Sequence, residues 1–181
     1  MNYCGGVPIA TTIKQVKEAF YLLYETVLAP QFTKSYGFTW WTERDVLPLI
    51  RFFLLGYFGS LEPEAASKHP LSQTGWGKVD FLINRIAVEF AVRTPEEGST
   101  KISASSNKGE LIKLMKHIGL AVLVLFDFSH DPYTSGQLES YRDLPSLGKG
   151  HHSKYPFSVL YYYKDKKGTP QVIRKNIRVD T

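Results

Sequence analysis

Two short segments separated by Asn84-Arg85 constrain the fold of this chain more than any other feature. In both segments, at 77–83 and 86–92, every second residue is apolar, which is typical of β-strands. A two-residue tip makes the pair an antiparallel hairpin in which Ile83 faces Ile86. One side of this hairpin is then entirely apolar and suited to a core: Val79, Phe81, Ile83, Ile86, Val88, Phe90 and Val92.

The opposite side of the hairpin carries two acids. In the same register Asp80 lies directly across from Glu89. Opposed side chains in a sheet are about 4.5–5.5 Å apart at Cβ, and like charges at that separation are destabilising. A divalent cation between the two carboxylates would compensate this repulsion. The plain alternative is a solvated hairpin on which Lys78 and Arg93 neutralise the acids as surface ion pairs.

The rest of the chain predicts a sheet flanked by helices. Helices are predicted from Thr11 or Thr12 to about Leu28, from Thr42 onward, and over Asn107–His117, where Asn107 and Glu110 have capping-box spacing. Further strands are predicted near Leu61–Ser67 at an edge, at Leu120–Phe126 with both faces covered, and in a late hairpin of 157–163 and 171–179. This order predicts one domain over 1–181 of α/β (α+β) class, with a mixed central β-sheet.

Composition narrows the cellular setting and the partners. With Cys4 as its only cysteine, the chain forms no intrachain disulfide, which is typical of the reducing cytoplasm. The most apolar helix candidate, at 47–58, is about half the ~20 residues that a membrane span needs, so no membrane association is expected. The net charge of +5 suits a polyanionic partner.

Acids on neighbouring strands also suit a phosphodiester hydrolase. Such a site uses one acid on the first strand and an acid-x-lysine sequence on the second, because residues i and i+2 of a strand lie on the same face. Asp80 supplies the first acid and Glu89 the second. Over about 43–127 the chain resembles the PD-(D/E)XK nuclease superfamily, which has the restriction-endonuclease-like fold. The resemblance is carried by 77–83, 88–93, the helix at 107–117 and the strand at 120–127.

The resemblance implies a metal-dependent endonuclease that hydrolyses DNA phosphodiester bonds. It implies that Asp80 and Glu89 are catalytic and bind Mg²⁺ or Mn²⁺. Superfamily members often carry another acid on an early helix, and Glu43 is the best-placed match. Glu64, just before the hairpin, is a candidate additional metal ligand. Because one chain has one such site, cutting both DNA strands would need a homodimer or two successive nicks.

The departure from the pattern is Ala91, which stands where the motif lysine belongs. We interpret Ala91 as a replacement of that catalytic lysine, which would leave the chain inactive. A second interpretation is that the lysine has moved, either to Lys78 or to Lys113 on the following helix. The third is that the domain has lost cutting and remains a nucleic-acid-binding or assembly domain on the same fold.

Several side chains near the acids are candidates for contacting nucleic-acid phosphates. Basic groups pair with phosphates, and serine hydroxyls near a helix N-terminus donate hydrogen bonds to them. The predicted DNA-binding residues are Lys78, Arg93, Lys101, Ser105, Lys108 and Lys113.

Overall fold

A computed structural model describes residues 11–35, 43–66, 78–94, 102–147 and 153–179, with only the backbone given at 64–66. Its helices are α1 (Ile13–Leu28), α2 (Pro30–Ser35), α3 (Glu43–Phe58) and α4 (Lys108–Lys116), with a 3-10 helix at Gln137–Arg142. Its strands are β1 (Glu62–Ala66), β2 (Lys78–Ile83), β3 (Ile86–Arg93), β4 (Ala121–Asp127), β5 (Phe157–Lys164) and β6 (Pro170–Ile177). Among the described residues, no helix combines the length and the apolar character needed to cross a membrane.

The described strands form a six-stranded mixed sheet in the order β1-β2-β3-β4-β5-β6. Strands β3, β4 and β5 are mutually parallel, whereas β1-β2, β2-β3 and β5-β6 are antiparallel pairs. Every residue of β4 is buried, as expected for a central parallel strand with helices over both faces. The predicted class, a mixed sheet flanked by helices, is therefore confirmed.

Helices α1 and α3 cover one face of the sheet, and α4 covers the other. Helix α1 begins where predicted, because Thr12 forms a capping box with Gln15. Its buried side chains repeat at helical spacing and pack against β3 and β4 residues such as Phe90 and Phe126. On the other face, α4 inserts Leu111, Leu114 and Met115 toward the parallel strands. The β2-β3 hairpin consequently lies between two helical layers.

The tip of the hairpin is the predicted two-residue turn. Asn84 and Arg85 both have positive φ, at 45° and 74°, as a type I′ turn requires. The Asn84 side chain bonds to Thr11 before α1 and to Ser60 after α3. The carbonyl oxygen of Arg85 lies 3.3 Å from Nε2 of His117, just after α4. This turn sets the predicted pairing of Ile83 with Ile86.

Two local predictions are wrong. The Asn107 side chain makes no capping hydrogen bond; instead its Oδ1 accepts one from the Tyr141 hydroxyl. Val79 is buried, but it packs with Ala87 and Ala91 on the α4 side rather than with the apolar residues of the α1 side. The change of side occurs beyond Phe81, where the β2-β3 pairing ends.

Candidate active site

The two acids of the hairpin lie where its strands stop pairing. The β2-β3 pairing runs from Ile83–Ile86 to Phe81–Val88. The next pair in this register would be Asp80 and Glu89. At this position the Asp80 side chain, and not the β2 backbone, binds β3: its Oδ2 accepts a hydrogen bond of 2.8 Å from the Phe90 amide. Asp80 is thereby fixed beside β3, and the two acids are neighbours at the end of the paired region.

A lysine from helix α4 lies beside these acids. Lys113 Nζ, on α4, lies 3.0 Å from Glu89 Oε2. Glu89 is 1% exposed, so the interpretation of a solvated hairpin is wrong for this acid. Its second oxygen, Oε1, is shielded from solvent and has no hydrogen-bond partner among the described residues. A buried carboxylate oxygen without a donor is costly and marks a place where a positively charged group would be stabilised.

Two further acids and an arginine act on the same site. Glu43, the first described residue of α3, has its pKa raised to about 7 by burial and then by Asp80 and Glu110. Burial also raises the pKa of Asp80, opposed by its bond to Phe90 and by the charges of Lys113 and Arg51. The site therefore receives charged side chains from both helical layers as well as from β2 and β3.

Glu89 is the most perturbed acid of the group. Burial, reinforced by the charge of Asp80, raises the pKa of Glu89 to about 9 even though Lys113 opposes the shift. For Lys113, burial disfavours the charged form, but its attraction to Glu89 and Asp80 is stronger and raises its pKa. Lys113 is accordingly a cation at neutral pH. Perturbed carboxyls beside a fixed cation are typical of functional sites, although ion-pair networks also produce them.

These shifts predict that the free energy of unfolding falls as the pH rises from about 5 to 9. Glu89 and Glu43 have ordinary pKa values near 4.5 once unfolded, so in this window the folded state binds more protons. Melting temperatures at pH 5.5, 7 and 8.5 measure the slope. The Glu89→Gln variant should have a flatter slope, whereas Glu25→Gln, at an exposed position of α1, should keep it. An unchanged slope in Glu89→Gln would contradict the assignment of the pH dependence to the raised pKa of Glu89.

The structure brings together Asp80, Glu89, Glu43 and Lys113, and it places other predicted residues in different surroundings. Ala91 is 4% exposed and packs among apolar side chains. Lys78, Ser105 and Lys108 are exposed. Arg93 Nη1 lies 3.3 Å from Asp127 Oδ2, and its guanidinium stacks over Tyr133. Lys101 and the Glu64 side chain lie outside the described residues.

Sequence reasoning missed Glu110 and Arg51. Glu110 was interpreted only as a capping residue, yet its charge affects all three other acids of the site. The available signal was its position three residues before Lys113, which places both on one side of α4. Arg51 lies in an apolar helical segment, and its charge is felt at Asp80; a cation in such a segment indicates a buried acid nearby.

The donor set suits a hard divalent cation, because carboxylate oxygens are the ligands that Mg²⁺ and Mn²⁺ prefer. Over the described ranges, no three or more His, Cys, Asp or Glu side chains are already grouped so that they could hold a metal ion. Lys113 provides the counter-charge to Glu89 in this arrangement. Neither a protein-family model, nor a curated protein, nor a solved structure gives a significant match to this chain.

Proposed function

We propose that this chain is a metal-dependent endonuclease that hydrolyses DNA phosphodiester bonds, with Lys113 acting as the lysine that β3 lacks. The observation that carries the proposal is the 3.0 Å contact between Lys113 Nζ and Glu89 Oε2. It places Lys113 of helix α4 against Glu89, which is the strand acid of the PD-(D/E)XK pattern, and Asp80 is the neighbouring acid. Of the three interpretations of Ala91, this contact favours the displaced lysine.

The roles of the side chains follow from their charges. Asp80 and Glu89, with Glu43, would hold Mg²⁺ or Mn²⁺, and the unpaired Oε1 of Glu89 is a donor suited to it. When bound, the cation supplies Lewis acidity and a more acidic water. Lys113, whose pKa is raised, presents a positive charge to the phosphate, where negative charge develops during hydrolysis.

The packing of Ala91 supports the same interpretation. Its side chain lies in a cluster with Ala87, Leu123 and Leu125 and is almost fully buried. An ammonium group ending in such surroundings would lose its hydration without a compensating partner. A small residue at position 91 of β3 is therefore compatible with a lysine that α4 supplies instead.

The acids also favour cutting over binding alone. A domain that only binds nucleic acid gains nothing from buried carboxylates beside the phosphates, because like charges repel. A cation-dependent hydrolase needs those carboxylates. The alternative, a non-catalytic nucleic-acid-binding or assembly domain, is retained as an outcome of the test.

Conversion of supercoiled plasmid to nicked circles in Mg²⁺ or Mn²⁺ tests the proposal. We expect the chain as it stands to cut, and Asp80→Asn to lose cutting because one ligand charge is removed. Asp143→Asn, an exposed position, serves as the matched control and should cut normally.

Three results would contradict the proposal in different ways. Cutting only by Ala91→Lys would favour the inactivated-variant interpretation. No cutting of DNA or RNA by either chain, with binding retained, would favour the binding domain. Absence of binding at low salt, where phosphate contacts are strongest, would exclude both nucleic-acid roles.

A further inference from the structure

Glu110 has a buried oxygen that the rest of the fold does not use. Its Oε2 is shielded from solvent and finds no hydrogen-bond donor among the described residues. Leaving a buried acceptor unsatisfied is destabilising, and more so for a charged group. Neighbouring positions on α4, Leu111 and Leu114, already provide the packing against the sheet. Glu110 is thus not required as a packing residue.

The local role that the sequence predicted for Glu110 is also missing. A capping box would pair its carboxylate with the backbone amide of Asn107, but that amide donates to the Ser103 carbonyl oxygen at 2.8 Å. The reciprocal half of the box is also missing, because the Asn107 side chain makes no capping bond.

Glu110 instead adds a fourth acid to the group formed by Glu43, Asp80 and Glu89. Its charge raises the pKa of each of these three carboxyls. Lys113 is already paired with Glu89 Oε2 and leaves the shielded Oε2 of Glu110 without a donor among the described residues. A divalent cation between the carboxylates would lower their mutual repulsion.

We propose that Glu110 is a ligand of the divalent cation, so that the cation is held from α4 as well as from β2 and β3. This inference rests on the proposed function, since it concerns the same cation. A second observation points to the same ligand: Glu89, 1% exposed, has its own unpaired and buried Oε1. Two unsatisfied carboxylate oxygens, one from the sheet and one from the helix over it, match a cation bound between the layers.

Manganese binding and metal-free stability, measured on Glu110→Gln, test the inference without relying on cleavage. Calorimetric titration with Mn²⁺ should give a Kd weakened by at least about tenfold, the lower bound seen when even outer partners of a metal ligand are removed. The metal-free melting temperature should stay equal or rise, because a repulsive charge is lost. Glu25→Gln makes the same change at an exposed position of α1 and should alter neither quantity.

The contrary results separate the two proposals. If the unmodified chain binds Mn²⁺ and Glu110→Gln binds it equally well, the inference is overturned while the proposed function stands. If Glu110→Gln lowers the metal-free melting temperature and leaves the Kd unchanged, Glu110 is a structural residue. If the unmodified chain binds no Mn²⁺ at all, the metal-dependent function itself is overturned.

Discussion

Replacing Lys113 by methionine is expected to lower the rate of Mg²⁺-dependent nicking by about 10²–10³-fold, the loss typical of removing one fixed group that stabilises transition-state charge. Methionine keeps most of the apolar stem and removes the ammonium that lies 3.0 Å from Glu89 Oε2. Single-turnover conversion of supercoiled to nicked plasmid measures the effect on the chemical step.

Two companion variants show whether the charge of Lys113 or its position on α4 is responsible for the loss of nicking. Lys116→Met removes an ammonium one turn further along α4 and should retain the original rate. Lys113→Arg keeps the charge with a different geometry and should retain part of it. Equal rates for Lys113→Met and the unmodified chain would exclude Lys113 from catalysis and turn attention to Lys78.

Lys113→Met should also destabilise the fold, and more at alkaline than at acidic pH. At pH 6 Glu89 is protonated, because its pKa is raised to about 9, so its contact with Lys113 is a hydrogen bond worth about 1 kcal/mol. At pH 9.5 the acid of the unmodified chain is largely ionised against Lys113. The variant can avoid an unpaired buried charge by keeping the proton on Glu89, so the loss grows by about 1 kcal/mol more. Urea unfolding at the two pH values measures the difference.

The double variant Glu89→Gln with Lys113→Met isolates the cause. Without an ionisable group at position 89, the loss of Lys113 should be nearly independent of pH. A pH dependence that persists in the double variant would show that another acid of the site, such as Glu43 or Asp80, is the partner that Lys113 neutralises.

The hairpin was predictable because its determinants are local. A two-residue tip fixes the pairing of Ile83 with Ile86, and alternation then assigns the side chains to faces. The same locality explains the success with α1, whose cap lies within four residues. The prediction failed at Val79, where the pairing ends and alternation no longer determines the direction of the side chain.

The charged site could be predicted only in part. Asp80 and Glu89 follow from the register, whereas the contact of Glu89 with Lys113 spans 24 positions and depends on how α4 lies over the sheet. Glu110 shows why local signals mislead: its spacing from Asn107 is that of a cap, but the tertiary position of α4 places its charge among the acids. Arg51 acts on Asp80 because of how α3 packs over the sheet, and hydrophobic periodicity alone does not determine that packing.

The Asn84-Arg85 turn joins three helices at a single point, through Thr11 before α1, Ser60 after α3 and His117 after α4. The hairpin is therefore held at its tip, while at its far end the bond from the Phe90 amide to Asp80 takes the place of regular pairing between its two strands. At that end β3 stays paired with β4 as far as Arg93, and β2 stays paired with the edge strand β1. Capture of a ligand by the carboxylates would then be accommodated by separating β2 from β3 at this end, with the core strands left in place.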